Sequence, residues 1–355
     1  MIDLRPSTLS PVNLPPPPER PLVSIVTPSY NQARYLEQTI RSVLEQEYPR
    51  IEYIVIDGAS TDESVEIIEK YALESDSLPS NTRKRASGIH KISHWVSEKD
   101  SGQADAINKG LARAAGGIVA WLNSDDFYFP GAVASAVKAF EAHPEAGLVY
   151  GDTVAVDENG EFIHFPKYAQ WDLDDLLTFH ILGQPAVFMR REALEKAGYL
   201  DPSFHFLLDH HLWIRMASRA PMVYVPERWA AGRFHESAKN VAQAEKFGEE
   251  AFRILEGAES DPLVSGALRR VSRRSRAAAL RINGRYLLDA GKARQAFRSY
   301  LRSLIAHPAT ALVEWKRIVF SFLSLFGLGV LQKHYNRWRK QRAQKRALSE
   351  SNGRR

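Results

Sequence analysis

The chain has 355 residues, of which 44% are hydrophobic and 25% charged, a composition typical of a soluble globular protein with one large and one smaller domain. It contains no cysteine, which excludes disulfides, thiolate zinc sites and cysteine nucleophiles. The net charge is +5, but residues 333–355 carry nine Lys or Arg and one acid, which leaves 38 basic and 41 acidic residues elsewhere. The body is therefore slightly acidic, and we expect no nucleic-acid partner.

The two ends of the chain differ in character from its middle. Residues 1–20 include four consecutive prolines and show no hydrophobic periodicity, which predicts an extended arm. They also lack the apolar core of a signal peptide. No stretch reaches the roughly 18 apolar residues of a membrane-spanning helix. The sequence therefore predicts a protein that does not cross the membrane.

The first half of the chain alternates short apolar runs with amphipathic segments. This alternation with short turns predicts βαβ units and a parallel sheet. An Asn159-Gly160 turn predicts a hairpin further on, so that the sheet becomes mixed. The predicted strands are 22–27, 51–56, 92–96, 118–122 and 184–190, and the predicted helices are 35–47, 63–71, 103–115, 132–142 and 209–217.

The chain beyond Ala238 is predicted to be almost entirely helical. Residues 276–308 resemble a single tetratricopeptide-like helix pair, and one such unit is too short to form a solenoid. We therefore divide the chain into an arm at 1–20, an α/β domain at 21–238, a helical region at 239–332 that ends in an apolar segment, and a basic tail at 333–355.

Polar loops follow four of the predicted parallel strands, at 28–31, 57–62, 100–103 and 123–126. The carboxyl ends of such strands share one edge of a sheet, where a nucleotide can lie. Asp57 can accept a hydrogen bond from a base N–H, Tyr30 can stack on the base, and Asp125 can bind a ribose hydroxyl. The alternative is that Asp57 and Asp62 only cap turns, but capping does not explain why all four loops are polar.

Asp125 and Asp126 are adjacent at the end of the fourth strand. Two neighbouring carboxylates repel one another, and a hard divalent ion shared with substrate phosphates relieves the repulsion. The alternative is a helix N-cap, because a helix begins shortly afterwards. Neither a Gly-x-Gly-x-x-Gly loop after the first strand nor a P-loop is present, so phosphates here would need a cation.

The order of these short motifs resembles that of a family 2 glycosyltransferase of the GT-A fold, inverting and non-processive. The resemblance covers roughly residues 21–235 and places the GT-A catalytic domain at 21–238. Its motifs are Val-Thr-Pro-Ser-Tyr-Asn at 26–31, Asp-Gly-Ala-Ser-Thr-Asp at 57–62, Glu-Lys-Asp-Ser-Gly at 98–102, Ala-Ile-Asn-Lys-Gly at 106–110, Leu-Asn-Ser-Asp-Asp at 122–126, Gln-Pro-Ala at 184–186 and Asp-His-His-Leu-Trp-Ile-Arg at 209–215.

The resemblance implies an α/β fold with a mixed, mainly parallel sheet, followed by a C-terminal α-helical appendage. It also implies a nucleotide-diphosphate sugar donor, for which we favour a UDP-sugar, a divalent Mn²⁺ or Mg²⁺ ion, and inversion at the anomeric carbon. Asp209 is then the catalytic base, and Asp126 and His235 are the metal ligands. The implied donor-binding residues are Pro28, Tyr30, Asn31, Asp57, Asp100, Gly102, Asn108 and Asp125.

The sequence departs from the family pattern at two positions. The second loop has Asp57-Gly58 where the family has two acids, and Leu208 stands where many members have an acid before the base. His235 has an alternative reading as the cap of a following helix. The histidines at positions 180, 205, 210 and 211 are expected to be structural or solvent-facing.

Three other functions share features with this pattern. A sugar nucleotidyltransferase needs a Gly-rich loop after the first strand, and a processive synthase needs Gln-x-x-Arg-Trp and spanning helices, none of which is present. A non-catalytic nucleotide-sugar or carbohydrate-binding relative is expected to lose Asp126 or Asp209, and both are retained. We expect a glycan or lipid-linked acceptor, in assembly of a surface polysaccharide or lipid-linked glycan.

Residues 318–331 are fourteen largely apolar positions, followed directly by the basic tail. The segment is too short to span a bilayer, but an apolar helix beside Lys and Arg is typical of an interfacial anchor. We expect peripheral membrane contact through 318–346, at the cytoplasmic side of the inner membrane. The alternative is a core helix of the appendage followed by a solvated tail.

Overall fold

The computed structural model describes residues 20–77, 91–235 and 246–326. The predicted arm up to residue 19 and the basic tail lie outside these ranges, as do residues 327–346 of the predicted membrane segment. Everything that follows concerns the described residues.

One sheet of nine strands organises the described part of the chain. Its order is β3-β2-β1-β4-β8-β6-β9-β5, with β7 attached to β6. The strands are β1 Val23–Ser29, β2 Ile51–Asp57, β3 Ile92–Ser97, β4 Ile118–Trp121, β5 Phe127–Tyr128, β6 Leu148–Asp157, β7 Phe162–His164, β8 Val187–Arg190 and β9 Met222–Phe234.

The sheet is mixed and mainly parallel, as the sequence predicted. Strand β1 lies parallel to both β2 and β4, and β2 lies parallel to β3. Strand β8 is antiparallel to β4 and to β6, while β9 is parallel to β6. Strands β6 and β9 therefore run in the same direction as the first four strands, and β5, β7 and β8 run the other way.

Helices cover both faces of the sheet. The helices are α1 Ala33–Leu44, α2 Ser64–Ser77, α3 Gln103–Arg113, α4 Ala132–Ala142, α5 Leu173–Leu177, α6 Arg191–Ala197, α7 Leu208–Ala217, α8 Lys246–Ser260, α9 Ser265–Asp289, α10 Ala293–Ala306, α11 Pro308–Leu312 and α12 Trp315–Ser324. One buried cluster includes Leu36 of α1 and Phe140 of α4. The other includes Ile107 of α3 and Trp213 of α7, and it continues into α8 and α9.

Several predicted elements are confirmed and others differ. Helix α4 has the predicted bounds, and the predicted hairpin joins β6 to β7. Residues 184–186 form a 3₁₀ turn instead of the start of a strand, because Pro185 has no N–H to donate to a sheet. Strand β9 and helices α5 and α6 were not predicted. The long β9 contains Pro226 and two exposed charged residues, which hide its strand character from periodicity.

The C-terminal helical appendage is confirmed for residues 246–326. Its helix pair consists of α9 and α10, joined by a turn in which Gly291 has a φ of 77°, a conformation that glycine adopts without strain. The buried Glu314 carboxylate pairs with Arg281 and Arg285 and accepts a hydrogen bond from Tyr300. Within the described residues, no helix is both long and apolar enough to cross a bilayer.

Candidate functional site

The four polar loops emerge at one edge of the sheet because their strands are parallel and in register. Ser29 at the end of β1 lies opposite Asp57 at the end of β2, and Asp57 lies opposite Ser97 at the end of β3. The Leu122 N–H donates to Val26 O at 2.9 Å, which extends β4 along β1. The loops after β1, β2, β3 and β4 therefore line one cleft.

The first two loops are bonded to each other by Asn31 and Asp62. The Asn31 N–H donates to Ser60 Oγ at 2.8 Å, and Asn31 Oδ1 accepts from the Thr61 N–H at 2.8 Å. Asp62 accepts from the N–H groups of Ala33 and Ser64. Asn31 has a φ of 51°, a left-handed conformation that asparagine tolerates better than most residues. Asn31 and Asp62 thus set the shape of the cleft.

Asp57 is fully buried and its carboxylate is occupied by the protein. It accepts from the Ser60 N–H at 2.8 Å, from the Ser60 hydroxyl at 2.5 Å and from the Ser97 hydroxyl at 2.7 Å. The sequence assigned Asp57 to the base, and that assignment stays a prediction. The three hydrogen bonds show that Asp57 supports the second and third loops.

Asp100 and Tyr30 lie close around the buried Gly58. A Cβ on Gly58 would approach Asp100 Oδ2 to 2.6 Å and the Tyr30 ring to 3.3 Å. Tyr30 is 60% exposed, and Asp100 Oδ1 accepts from the Gly102 N–H at 2.8 Å. The missing second acid of the loop leaves space that Asp100 fills. A carboxylate and an aromatic ring are therefore presented side by side, as a base-binding surface requires.

The acidic loop after β4 is held from three sides. The buried Thr39 hydroxyl of α1 lies 2.9 Å from Ser124 O and 2.6 Å from Asp126 O. Asn123 accepts from Gln103 at 2.8 Å and donates to Gln184 at 3.0 Å. Asn123 and Gln184 lie within the quoted motifs and Gln103 directly follows one, but no sequence pattern indicated that the three amides bond to one another. The network joins the third loop, the fourth loop and the 3₁₀ turn.

The two adjacent carboxylates have different surroundings. Asp126 is buried and accepts from the Arg233 N–H at 2.9 Å and from Asn123 at 3.3 Å. Asp125 is more open, and its Oδ2 lies 2.9 Å from His235 Nε2. Burial, and then the neighbouring charge of Asp125, raise the pKa of Asp126 well above its usual range. His235 therefore reaches the acidic pair through Asp125.

Arg233 is not available to bind phosphate groups. Its guanidinium donates to the backbone oxygens of Asp125 and Glu158 and to the Gln38 side chain, and the residue is buried. It also lies over the Tyr35 ring. Arg233 therefore holds the end of β9 beside the acidic loop, so that His235, two residues later, lies next to Asp125.

The acidic pair and His235 fit a divalent ion that is shared with a diphosphate. No ready-made cluster of three or more ligating groups occurs among the described residues. Magnesium, however, is commonly held by one or two carboxylates together with substrate phosphates. The Asp126 carboxylate has about four acceptor positions, of which Arg233 and Asn123 use two. Oxygen and imidazole ligands also suit manganese.

Asp209 lies in the first turn of α7. This helix packs in the buried cluster that continues into α8 and α9. Its Oδ1 accepts from the His210 N–H at 2.7 Å. Burial, the larger cause, and the charge of Glu250 raise the pKa of Asp209 to about 6. The Trp213 ring of α7 stacks on Trp121 of β4, with centroids 5.1 Å apart. This stack ties the helix that carries Asp209 to the strand that carries the acidic pair.

Glu250 of α8 shapes the segment that precedes Asp209. Its buried carboxylate accepts from the N–H groups of His205, Phe206 and Leu207 at 2.7, 2.9 and 2.8 Å. No motif indicated this residue, because it lies more than forty positions from its partners. The helical appendage therefore takes part in positioning Asp209.

Four other residues named from the sequence have structural surroundings. Asn108 bonds through both amide atoms to the backbone of Leu200 and so braces α3, while its role in donor binding stays a prediction. Pro28 is buried within β1. Burial lowers the pKa values of His210 and His211 to about 4, and His211 stacks on Phe204. Both histidines are therefore neutral packing residues, as expected.

Comparison with known proteins decides the family. Residues 24–198 match the profile of "Glycosyl transferase family 2". The chain is also 31% identical over 209 residues to the putative teichuronic acid biosynthesis glycosyltransferase TuaG of Bacillus subtilis, covering 58% of this chain and 75% of that protein. This chain is a family 2 glycosyltransferase. It is also 29% identical over 199 residues to the O-antigen biosynthesis protein RfbC of Myxococcus xanthus, covering 56% of this chain but only 14% of that protein.

Solved structures show that this glycosyltransferase has the GT-A fold. It superposes on residues 1–349 of S. aureus TarS, in complex with UDP-GlcNAc, with a TM-score of 0.56, 16% identity and 82% coverage of both chains. The Pyrobaculum calidifontis mannosyltransferase PcManGT, in complex with GDP-Man and Mn²⁺, also gives a TM-score of 0.56, with 18% identity and 90% coverage of both chains. At these identities the likeness concerns the fold.

Proposed function

We propose that this glycosyltransferase moves a sugar from a nucleotide-diphosphate donor to an acceptor hydroxyl, with inversion at the anomeric carbon. The single observation that carries the proposal is the cleft at the carboxyl edge of the parallel strands, where four polar loops and the acidic pair come together. Asp209 is the proposed base, because burial raises its pKa to about 6, so that it is ionised at neutral pH yet basic enough to accept a proton. The nucleotide sugars bound by the two structural neighbours support the class of donor, and we favour a UDP-sugar.

The donor is proposed to bind along the first, second and third loops. Tyr30 supplies an exposed ring for stacking on the base, and Asp100 accepts from a base N–H. Gly102 leaves the backbone open beside Asp100, and Asn31 and Asp57 hold the loops in shape. Asp125, which is the more exposed of the acidic pair, lies where a ribose hydroxyl can bond to it. Asp100 thus takes the contact that the sequence assigned to Asp57.

The diphosphate is proposed to lie at the acidic pair, with Mn²⁺ or Mg²⁺ held by Asp126 and His235. When bound, such an ion neutralises the departing nucleoside diphosphate as a Lewis acid. The protein's part is to place the ligands: Asn123 and the Arg233 N–H orient Asp126, and Asp125 orients His235. The need for such an ion follows from the absence of a glycine-rich phosphate loop in the sequence.

The chemical step is proposed to be a single displacement. Asp209 takes the proton from the acceptor hydroxyl while that oxygen attacks the anomeric carbon from the face opposite the diphosphate. Charge develops on the sugar ring as in glycoside hydrolysis, where the transition state resembles an oxocarbenium ion. One displacement at one carbon inverts its configuration.

The proposed setting is assembly of a surface polysaccharide or lipid-linked glycan at the inner face of the cytoplasmic membrane. The names of the B. subtilis and M. xanthus relatives support the polysaccharide pathway. Peripheral membrane contact is proposed through 318–346. In its described part, Val319, Phe322 and Phe326 are 46%, 43% and 69% exposed, and the remainder lies beyond the described residues.

A panel of nucleotide sugars, incubated with the full chain and Mn²⁺, tests the proposed reaction. We expect slow hydrolysis of one donor, loss of that hydrolysis in excess EDTA, and loss of calorimetric nucleotide binding in Asp126→Ala. Glu69→Ala, which removes an exposed carboxylate from α2, is the matched control. If the protein turns over a donor fully in EDTA, the metal assignment fails, and if it binds no donor the enzymatic assignment fails.

A further inference from the structure

A basic groove runs between α8, α9 and α10, away from the donor site. It consists of two cavities of about 570 and 290 Å³ that share Phe252, Leu280 and Arg302 and are therefore continuous. Phe252 and Leu280 form an apolar floor, and no acidic side chain lines either cavity. The four arginines of the groove are Arg273, Arg276, Arg298 and Arg302.

The groove follows one face of α9 along its length. Positions 273, 276, 280, 283 and 287 of the lining recur at the spacing of a single helical face. The fourteen steps from residue 273 to residue 287 span about 21 Å at 1.5 Å per residue. Successive arginines on each helix are three or four residues apart, or about 4.5–6 Å along the axis. The charges therefore form a row and not a single point.

These four arginines have no carboxylate partner and no hydrogen-bond acceptor among the described residues. Four other arginines of the same region are paired: Arg270 with Asp174, Arg281 and Arg285 with Glu314, and Arg317 with Asp289. A row of unpaired cations over an apolar floor is an arrangement suited to an extended anion.

The groove and the segment that precedes Asp209 flank the same helix. Phe252 of α8 lines the groove, and Glu250, two residues earlier on α8, accepts hydrogen bonds from the backbone of residues 205–207. Tyr286, which precedes the lining residue Leu287, stacks on Phe247 of α8 with centroids 4.1 Å apart. Helix α8 therefore connects the groove to the segment that positions Asp209.

We propose that this groove binds the acceptor of the reaction as an anionic glycan chain that bears carboxylate or phosphate groups at regular intervals. The identity of the occupant as the acceptor rests on the proposed function. The row of charges matches a polymer better than a single ion. The concave shape, between three helices, favours a strand over a flat bilayer, and the acidic body of the chain disfavours nucleic acid.

The test compares two double variants of the full chain. R276Q/R302Q removes two charges from the groove, and R274Q/R294Q removes two exposed charges from the same helices outside its lining. Calorimetry with polygalacturonate as the charged probe and dextran as the neutral one measures binding. We expect polygalacturonate to bind more tightly than dextran, and to bind about tenfold more weakly to the groove variant, as two lost surface ion pairs imply. The control variant should match the wild type.

Three results would overturn the proposal. If both double variants lose affinity for polygalacturonate equally, the binding is a diffuse charge effect. If polygalacturonate binds no more tightly than dextran, the groove does not select an anionic glycan. If the groove variant loses affinity only for phosphatidylglycerol vesicles, the groove is a membrane contact and not a glycan site. Hydrolysis of the nucleotide sugar should be unchanged in both variants. Complete absence of hydrolysis in the wild type would refute the enzymatic proposal. The binding of polygalacturonate, which is measured without donor, would still show whether the groove binds an anionic glycan.

Discussion

Asp209 is the residue on which the proposed chemistry depends most. Its side chain is partly enclosed, with burial as the main cause of its raised pKa, and the His210 N–H donates to it. The same enclosure that makes the carboxylate basic also makes its charged form unfavourable. The residue therefore connects activity and stability, and two predictions separate these roles.

Asp209→Asn should abolish most transfer while leaving donor binding intact. Asparagine is nearly isosteric and suits the first turn of a helix, but it cannot accept the acceptor's proton. The kcat for transfer should fall by roughly 10²- to 10⁴-fold, the usual range for loss of a general base, which is about 3–5 kcal/mol on the barrier. Calorimetric binding of the nucleoside diphosphate is the control. A variant that keeps more than about a tenth of the wild-type kcat would show that Asp209 is only a helix-terminal residue.

The same substitution should stabilise the fold at neutral pH. The pKa of Asp209 is raised from 3.8 to about 6, so the unfolded chain releases this proton more readily and stability falls as pH rises from about 4 to about 6. A shift of that size corresponds to at most about 3 kcal/mol. Urea unfolding should therefore show Asp209→Asn to be more stable at pH 7.5, and no more stable than the wild type near pH 4.

Asp201→Asn provides a control of opposite sign for this measurement. The Ser203 hydrogen bonds outweigh burial and lower the pKa of Asp201. Its charged form therefore contributes stability that is present at pH 7 and lost as the pH falls through its lowered value. Asp201→Asn should destabilise the protein at pH 7.5. If both variants shift in the same direction, the burial argument for Asp209 is refuted.

Gly58 tests the proposed base-binding surface. A methyl group at this position would meet Asp100 Oδ2 at 2.6 Å, and the flexible carboxylate would have to turn away. Gly58→Ala should therefore weaken donor binding by about tenfold, the equivalent of one lost hydrogen bond to a charged group, with an unchanged midpoint of thermal unfolding. Gly117→Ala, where a Cβ meets nothing within 4 Å, is the matched control. Unaltered donor affinity in Gly58→Ala would exclude Asp100 from the donor site.

At the scale of elements, α8 controls the segment before α7. Glu250→Ala would leave the N–H groups of His205, Phe206 and Leu207 without their acceptor. Hydrogen bonds to a charged group contribute about 1.5–3 kcal/mol each but are not additive, so we expect a loss of about 2–4 kcal/mol in the free energy of unfolding. The kcat should fall as well, because the segment orients Asp209, while the donor KM should change little.

The exposed neighbour Glu249 supplies the control for α8. Glu249→Ala should leave both unfolding and kcat within experimental error of the wild type, because surface substitutions rarely exceed about 0.5 kcal/mol. Equal behaviour of the two variants would show that the carboxylate of Glu250 has no special role. Rescue of kcat by Glu250→Gln, which retains one acceptor oxygen, would indicate that the hydrogen bonds matter more than the charge.

For the molecule as a whole, the helical appendage and the sheet share one core. Phe247, Ile254 and Leu268 of the appendage belong to the same buried cluster as Trp213 of α7. A chain that ends after His235 should therefore aggregate or unfold, because it exposes that apolar surface to water. Circular dichroism measures the unfolding transition of this shortened chain. A soluble, cooperatively folded product from the shorter chain would contradict this view.

The sequence by itself determined the parallel half of the fold and the position of the candidate cleft. Apolar runs that end in polar loops are local patterns, and the rule that parallel strands share their carboxyl edge turns them into a site. The order of motifs likewise indicated the family, and the 3.6-residue periodicity indicated the appendage. These features depend on neighbours along the chain, which the sequence displays directly.

Only the tertiary structure decided which polar side chains face the cleft. Asp57 and Asp125 both follow a strand, yet Asp57 is closed off by Ser60 and Ser97 while Asp125 meets His235, 110 residues away. Local sequence patterns likewise do not indicate strand β9, the hydrogen bonds of Glu250 or the unpaired arginines of the groove. Each depends on the packing of elements distant in sequence, and such packing determines the burial and hydrogen-bond partners of a side chain.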